Sequence, residues 1–183
     1  MEAVTQELAA LGAEVRDVEV DGAAEIASIG RTIIVVDGYA IHEERLRTAP
    51  EGYGAEVRER LLLGRDVTGA QFARMLEQAR AFGRRLDALF DEVDILLTPT
   101  TDRVACEREG AGMIEESRRL SRLTLPFSVS GSPALSVPCG FDRNGLPIGA
   151  QFVGRRWCDD VVLRAGAAYQ QVTDWHRRRP SRP

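Results

Sequence analysis

The chain has 183 residues, 44% hydrophobic and 28% charged, with 28 acidic against 24 basic side chains and a net charge of -4. Such a chain can bury a globular core without disulfide or metal staples, and its acidic balance excludes the basic footprint of a general nucleic-acid binder. No apolar run approaches the ~20 residues of a membrane span, the N-terminus lacks a signal-peptide layout, and Cys106, Cys139 and Cys158 have no metal-ligand spacing, so a cytoplasmic protein with reduced thiols, no metal and no cofactor is expected.

In chain order, Val4, Leu8 and Leu11 recur at helical spacing over residues 2–11, and Gly12 ends that helix. Val15, Val18 and Val20 in AEVRDVEV predict a strand with a bulge near Arg16–Asp17, where the alternation slips. Asp21 is placed to cap a long helix over 22–46 with Ile26, Ile29, Ile33, Val36 and Ala40 on one face. Gly30 and Gly38 weaken it. TAPEGYG reads as a loop, followed by a short helix that turns Val57 and Leu61 inward and stops at Gly64. Thr68 caps the most regular helix, whose stripe is Phe72, Leu76, Ala79, Leu86 and Leu89. VDILLT at 93–98 reads as a buried strand ended by Pro99, residues 102–112 as an irregular loop, and 113–122 as a helix.

The last third changes character. PALSVPCGF and LPIGAQFVG are strand-like runs joined by Asp142-Arg143-Asn144-Gly145, and Asn-Gly is a strong hairpin signal. Pro138 and Pro147 restrict pairing where they fall. Asp159 is placed to cap a helix carrying Val162, Ala165, Tyr169 and Val172, and the tail RRRPSRP frays. Interleaved helices and strands make the class α/β, and no boundary divides residues 1–183.

No catalytic constellation stands out. His42 and His176 have no spacing that supports a nucleophile–histidine pair. Ser128, Ser130, Ser132 and Ser136 in SVSGSPALS lack the Gly-x-Ser-x-Gly elbow and read as a turn leading into a strand. The cysteines have no paired base, and Cys139 reads as a small residue at a strand end. All 24 basic side chains are arginine. An arginine does not shed its proton, so no side chain here can serve as a neutral amine base.

The succession LTLPFSVSGSPALSVPCGF, then LPIGAQFVGRRWCDDVVLRAGAAY, resembles the C-terminal end of the amidase signature family. Upstream, YGAEVRERLLLGRDVTGAQFARMLEQARAFGRRLDALFDEVDILLTPT is similar to the helices and strand that precede that end, and ELAALGAEVRDVEV to a family helix–strand unit. The resemblance implies part of the amidase signature fold, a mixed β-sheet core covered by helices, with the N-terminal half missing. It also implies amide hydrolysis by a Ser–cis-Ser–Lys triad, in which a neutral lysine draws a proton through a bridging serine from the nucleophilic serine. Those three residues belong to the N-terminal half in the family, and none can be carried over here. Thr98, Pro99 and Thr100 match a strand end that lies near the family's substrate cleft, so they are candidate pocket-lining residues. Ser128 stands where the family often has asparagine.

Two readings follow. The chain is a C-terminal portion of an amidase, inactive alone, with a small amide substrate only in the complete enzyme. Alternatively it is a non-catalytic binding or assembly module, or one half of a split amidase completed by a triad-bearing chain. Either way, apolar helix faces and sheet edges are expected to lie open unless an N-terminal amidase half or a second copy covers them.

Overall fold

The computed structural model describes residues 1–106 and 113–179. Part of the expected 102–112 loop and the end of the expected frayed tail lie outside the described residues. Strands β1 (Ile95–Pro99), β2 (Ala134–Phe141) and β3 (Pro147–Gly154) form an antiparallel sheet in the order β1-β3-β2. The hairpin read from the sequence is therefore real, and β3 is its inner strand. Asp142 closes the turn: its carboxylate accepts the backbone N–H of Asn144 at 2.9 Å and of Leu146 at 2.8 Å. Gly145 takes φ +78°, a left-handed conformation that glycine adopts without a Cβ clash.

Pairing breaks once. Pro138 faces Gly149 and Gly140 faces Ile148, which leaves Cys139 as the extra residue of a bulge. A proline has no N–H to give the ladder, so the irregularity falls beside it.

Alternation along the strands sends side chains to two different cores. Leu96 and Val153, directly opposite each other, join Ile26, Ala79, Phe82, Leu86, Phe90 and Phe127. Ala150, Phe152 and Val137 point the other way and join Val4, Val162 and Tyr169. Helices α2 (Ala23–Thr48), α4 (Gly69–Leu89) and α6 (Leu125–Ser130) enclose the first core. Helices α1 (Glu2–Ala10) and α7 (Asp159–Val172) cover the second. Helices α3 (Ala55–Leu62) and α5 (Met113–Leu120) lie outside both.

Helix α4 starts as its sequence predicts. Thr68 accepts from the Gln71 N–H at 3.2 Å, and Gln71 accepts from the Thr68 N–H at 2.8 Å. This reciprocal box satisfies two donors that the first turn leaves without partners. Phe82, absent from the predicted stripe, is 1% exposed and lies at the centre of the first core.

Several expectations are corrected. Residues 13–20 form no strand; they run as open chain, with Val15 and Val18 exposed. A strand needs a neighbour for its N–H and C=O groups, and among the described residues nothing pairs with this segment. Neither aspartate caps its helix: the N-cap positions are Gly22 and Cys158, without side-chain hydrogen bonds. Asp159 instead occupies the first turn, where its charge complements the helix dipole. Val57 faces solvent, as does Ala40. Residues 128–130 of the serine-rich stretch, expected as a turn, are the last residues of α6, and Gly131 at φ +74° ends the helix.

The glycines read as weak points of α2 are points of close approach. A Cβ on Gly30 would lie 2.6 Å from Val129 Cγ2, and one on Gly38 would lie 2.8 Å from Leu61 Cδ2. Gly64, after α3, meets the α2 backbone itself: its Cβ would stand 2.1 Å from the Val35 carbonyl oxygen. Backbone cannot swing aside as a side chain can. Gly64→Ala is therefore expected to lower the urea-unfolding free energy by about 1–3 kcal/mol, the usual cost of overpacking. Gly69→Ala is its control: it opens α4 with nothing within 4 Å of a new Cβ, and should be neutral or stabilising by up to about 1 kcal/mol.

Candidate functional site

One face of the sheet changes from apolar to polar along its length. Above, Leu96 and Val153 face the first core. Two residues further along β1, Thr98 lies opposite Gln151, and Gln151 lies opposite Ser136 on β2. Thr100 follows, beside Gly149. Period-two alternation places Thr98, Thr100, Ser136, Gly149 and Gln151 on this face, and Pro99, in register with Ala150, on the other.

Gln151 organises the patch. It is 3% exposed, and its Nε2 donates to Thr98 Oγ1 at 2.9 Å and to the Leu123 carbonyl at 3.1 Å. Both amide hydrogens are thereby used, and the segment leading into α6 is tied to the sheet. The Thr98 hydroxyl donates onward to the Pro99 carbonyl at 3.1 Å. Beyond Gln151, the hydroxyls of Thr100 and Ser136 meet at 2.6 Å across the middle strand. They meet because Gly149 lies beneath them: a Cβ there would come within 2.7 Å of Thr100 Oγ1 and 2.9 Å of Ser136 Oγ. Ser136 is exposed and Thr100 half-buried, so this end of the patch is open.

The chain after Thr100 is tethered by charge. Arg103 pairs with Asp102 at 3.3 Å and with Glu116 of α5 at 3.0 Å, and Asp102 pairs in turn with Arg122 at 3.7 Å. The Thr101 hydroxyl donates to the Arg103 carbonyl at 2.6 Å. The patch can offer hydroxyls and a fixed backbone to a polar ligand. It holds no general base: neither histidine is among its partners. His42 Nδ1 instead meets the Tyr53 hydroxyl at 3.0 Å.

The other sequence candidates are structural. The Ser130 hydroxyl is buried and donates to the Phe127 carbonyl at 3.0 Å. Ser128, on α6, donates to the Thr124 carbonyl at 3.3 Å. The three cysteines are free, and burial pushes the Cys139 thiol up from its ordinary range. Among the described residues no group of three or more His, Cys, Asp or Glu side chains could hold a metal ion.

Composition and spacing point to no residue of this patch. Of the three pocket-lining candidates that the resemblance implies, Thr98 and Thr100 lie on this polar face and Pro99 on the other; the resemblance names neither Ser136 nor Gln151. The signal available for those two was the alternation of ALSVP and IGAQF, which puts one polar residue among apolar neighbours on each strand.

The family model described as Amidase matches residues 1–163. The chain belongs to the amidase family. A glutamyl-tRNA(Gln) amidotransferase subunit from Chloroflexus aggregans is 41% identical over 150 residues, covering 79% of this chain and 30% of that protein. Its counterpart in Synechococcus elongatus is 33% identical, covering 99% of this chain and 43% of its own length. A crystal structure of an amidase superposes with a TM-score of 0.82 at 28% identity, covering 93% of this chain and 40% of the other. This amidase chain thus spans less than half the length of the relatives it matches, and its fold is a partial one.

Two measurements test the geometry. Gln151→Leu should cost the amidase chain about 1–3 kcal/mol in urea unfolding, because it leaves the Thr98 hydroxyl and Leu123 carbonyl short of a donor. In iodoacetamide labelling followed by mass spectrometry, exposed Cys106 should react well before Cys139 at neutral pH. Thiolate is the reactive form, so raising the pH should narrow that gap.

Proposed function

We propose that this chain is the C-terminal portion of an amidase, able to cleave a carbon–nitrogen amide bond only when a triad-bearing region is joined to it, within one polypeptide or as a partner chain. The observation that carries this reading is a pair: a family match over residues 1–163 in a sequence whose basic side chains are all arginine. The family's chemistry needs an amine that can lose its proton, and guanidinium does not do so at working pH.

In the completed enzyme this portion holds one wall of the substrate cleft. Thr98 and Thr100 present hydroxyls, Pro99 stiffens the strand end between them, and Gln151 holds Thr98 in place. Thr98 Oγ1, whose hydrogen goes to the Pro99 carbonyl, can still accept, and the Thr100–Ser136 pair keeps one hydrogen to donate, which suits the N–H and C=O of an amide. Fixing the substrate here reduces the orientational freedom that attack on the carbonyl would otherwise have to overcome.

The surface supports an incomplete fold. Ile41 on α2 is 77% exposed, and Val57 on α3 is 52% exposed. Val15 and Val18, in the segment without strand pairing, add to this open apolar surface, while Val20 packs against the first core. A covering N-terminal region would bury these groups and give the extended segment a strand to pair with.

The purified chain is expected to release no product from simple amides or aryl amides. Mixing it with a separately produced N-terminal region of an amidase, carrying the serines and lysine, should restore turnover. Turnover by the isolated chain, surviving removal of contaminating hydrolases, would overturn the reading. A well-dispersed chain that no triad-bearing region activates would favour the alternative, a binding or assembly module.

A further inference from the structure

A cleft of about 660 Å³ lies between α2, the end of α3, α5 and the start of α6, and five arginines line it: Arg31, Arg60, Arg118, Arg119 and Arg122. Among the described residues Glu115 is the only carboxylate in its lining, which carries five arginines in a chain whose net charge is -4. Glu115 pairs with Arg118 at 3.3 Å, and Arg122 pairs with Asp102 at 3.7 Å. Arg31, Arg60 and Arg119 have no carboxylate within 4.0 Å among the described residues.

Arg47, Arg80 and Arg84 each pair with a glutamate on their own helix, as solvated surface pairs of small energetic weight. Arg45, Arg58, Arg74 and Arg85 have no carboxylate within 4.0 Å among the described residues, but none of them lines a cleft with other arginines. What sets Arg31, Arg60 and Arg119 apart is that three elements bring them to one concavity. Like charges gathered in a cleft repel one another and raise the local concentration of anions. Guanidinium also binds carboxylate and phosphate oxygens through paired N–H donors, which adds geometric selectivity to the attraction.

The cleft is not purely polar. Ile34, Val35, Leu63 and Leu125 also line it. Its hydroxyls are partly committed to the backbone: Thr32 donates to the Ser28 carbonyl at 3.4 Å and Ser121 to the Ser117 carbonyl at 2.9 Å. What remains for a ligand is positive charge beside apolar surface.

We propose that this cleft binds a small molecule with two or more anionic groups on a compact apolar body. Arg31, Arg60 and Arg119 hold the anionic groups, while Ile34 and Leu63 cover the body. The site uses none of Thr98, Thr100, Ser136 or Gln151, and Arg122 links its rim through Asp102 to the chain that follows Thr100. Carboxylate and phosphate share the required chemistry, and the probes below separate them.

The test is arginine footprinting of the full chain with phenylglyoxal, read by mass spectrometry at low ionic strength. Benzene-1,3,5-tricarboxylate serves as the carboxylate probe and benzene-1,3-diyl bis(phosphate) as the phosphate probe. The tricarboxylate is expected to protect Arg31, Arg60 and Arg119 saturably, and to leave Arg47 and Arg164 reactive. Protection of the same three by the bis(phosphate) at lower concentration would assign the ligand class to phosphates. In calorimetric titration, Arg31→Gln combined with Arg119→Gln should weaken binding by about tenfold or more, because two charged fork donors are lost. Arg164→Gln, on α7, should leave it unchanged. Equal protection of all arginines, or no saturable protection by either probe, would overturn the proposal. So would protection of the three cleft arginines that sodium chloride at matched ionic strength reproduces.

Discussion

Strand β3 constrains the molecule more than any other element. It is hydrogen-bonded along both edges, so neither its register nor its facing can change without breaking two ladders at once. With register fixed, alternation divides its side chains: Val153 and Gln151 on one side, Phe152 and Ala150 on the other. Val153 and Phe152 are each 0% exposed, so a slip of one residue would exchange two fully buried side chains between two separate cores. The helices arrange themselves around that division. Helices α2, α4 and α6 close over Val153, and α1 and α7 close over Phe152.

The polar patch follows from the same constraint. Where the face of β3 no longer lies beneath the helices of the first core, it carries Gln151 and then Gly149. A buried primary amide must find partners for its hydrogens, and it finds them on β1 and on the chain before α6. The missing side chain at position 149 lets hydroxyls of the two flanking strands meet above the middle one. One strand therefore supplies the core, the tie between sheet and α6, and the gap over which Thr100 and Ser136 meet.

The exposed features share a different cause. Ile41 on α2, Val57 on α3 and the segment of Val15 and Val18 leave apolar side chains open to solvent. The chain spans under half the length of the relatives it matches, and these are the groups that the proposed N-terminal region would cover. Charge follows another rule. Arg47, Arg80 and, in the α2–α5 cleft, Arg118 are neutralised by a glutamate three residues away, whereas Arg31, Arg60 and Arg119 of that cleft have no carboxylate within 4.0 Å among the described residues.

Local chemistry was legible in the residues themselves. The Thr68–Gln71 box, the Asp142–Gly145 turn, the apolar runs of the hairpin and the stripe of α4 depend on neighbours within a few positions, and the sequence carries those neighbours. The family was legible for another reason: a long succession of moderately specific segments in fixed order leaves few alternatives. What the sequence could not decide was which partners arrive from far away. Valines spaced for a strand became open chain because pairing is a property of two segments. Gly64 reads as a helix stop until the backbone of α2 is seen against it. Gln151 is an ordinary polar residue in a strand until burial removes water from its amide and obliges it to bond across the sheet. Those outcomes rest on contacts between distant segments, and only the folded chain brings such segments together.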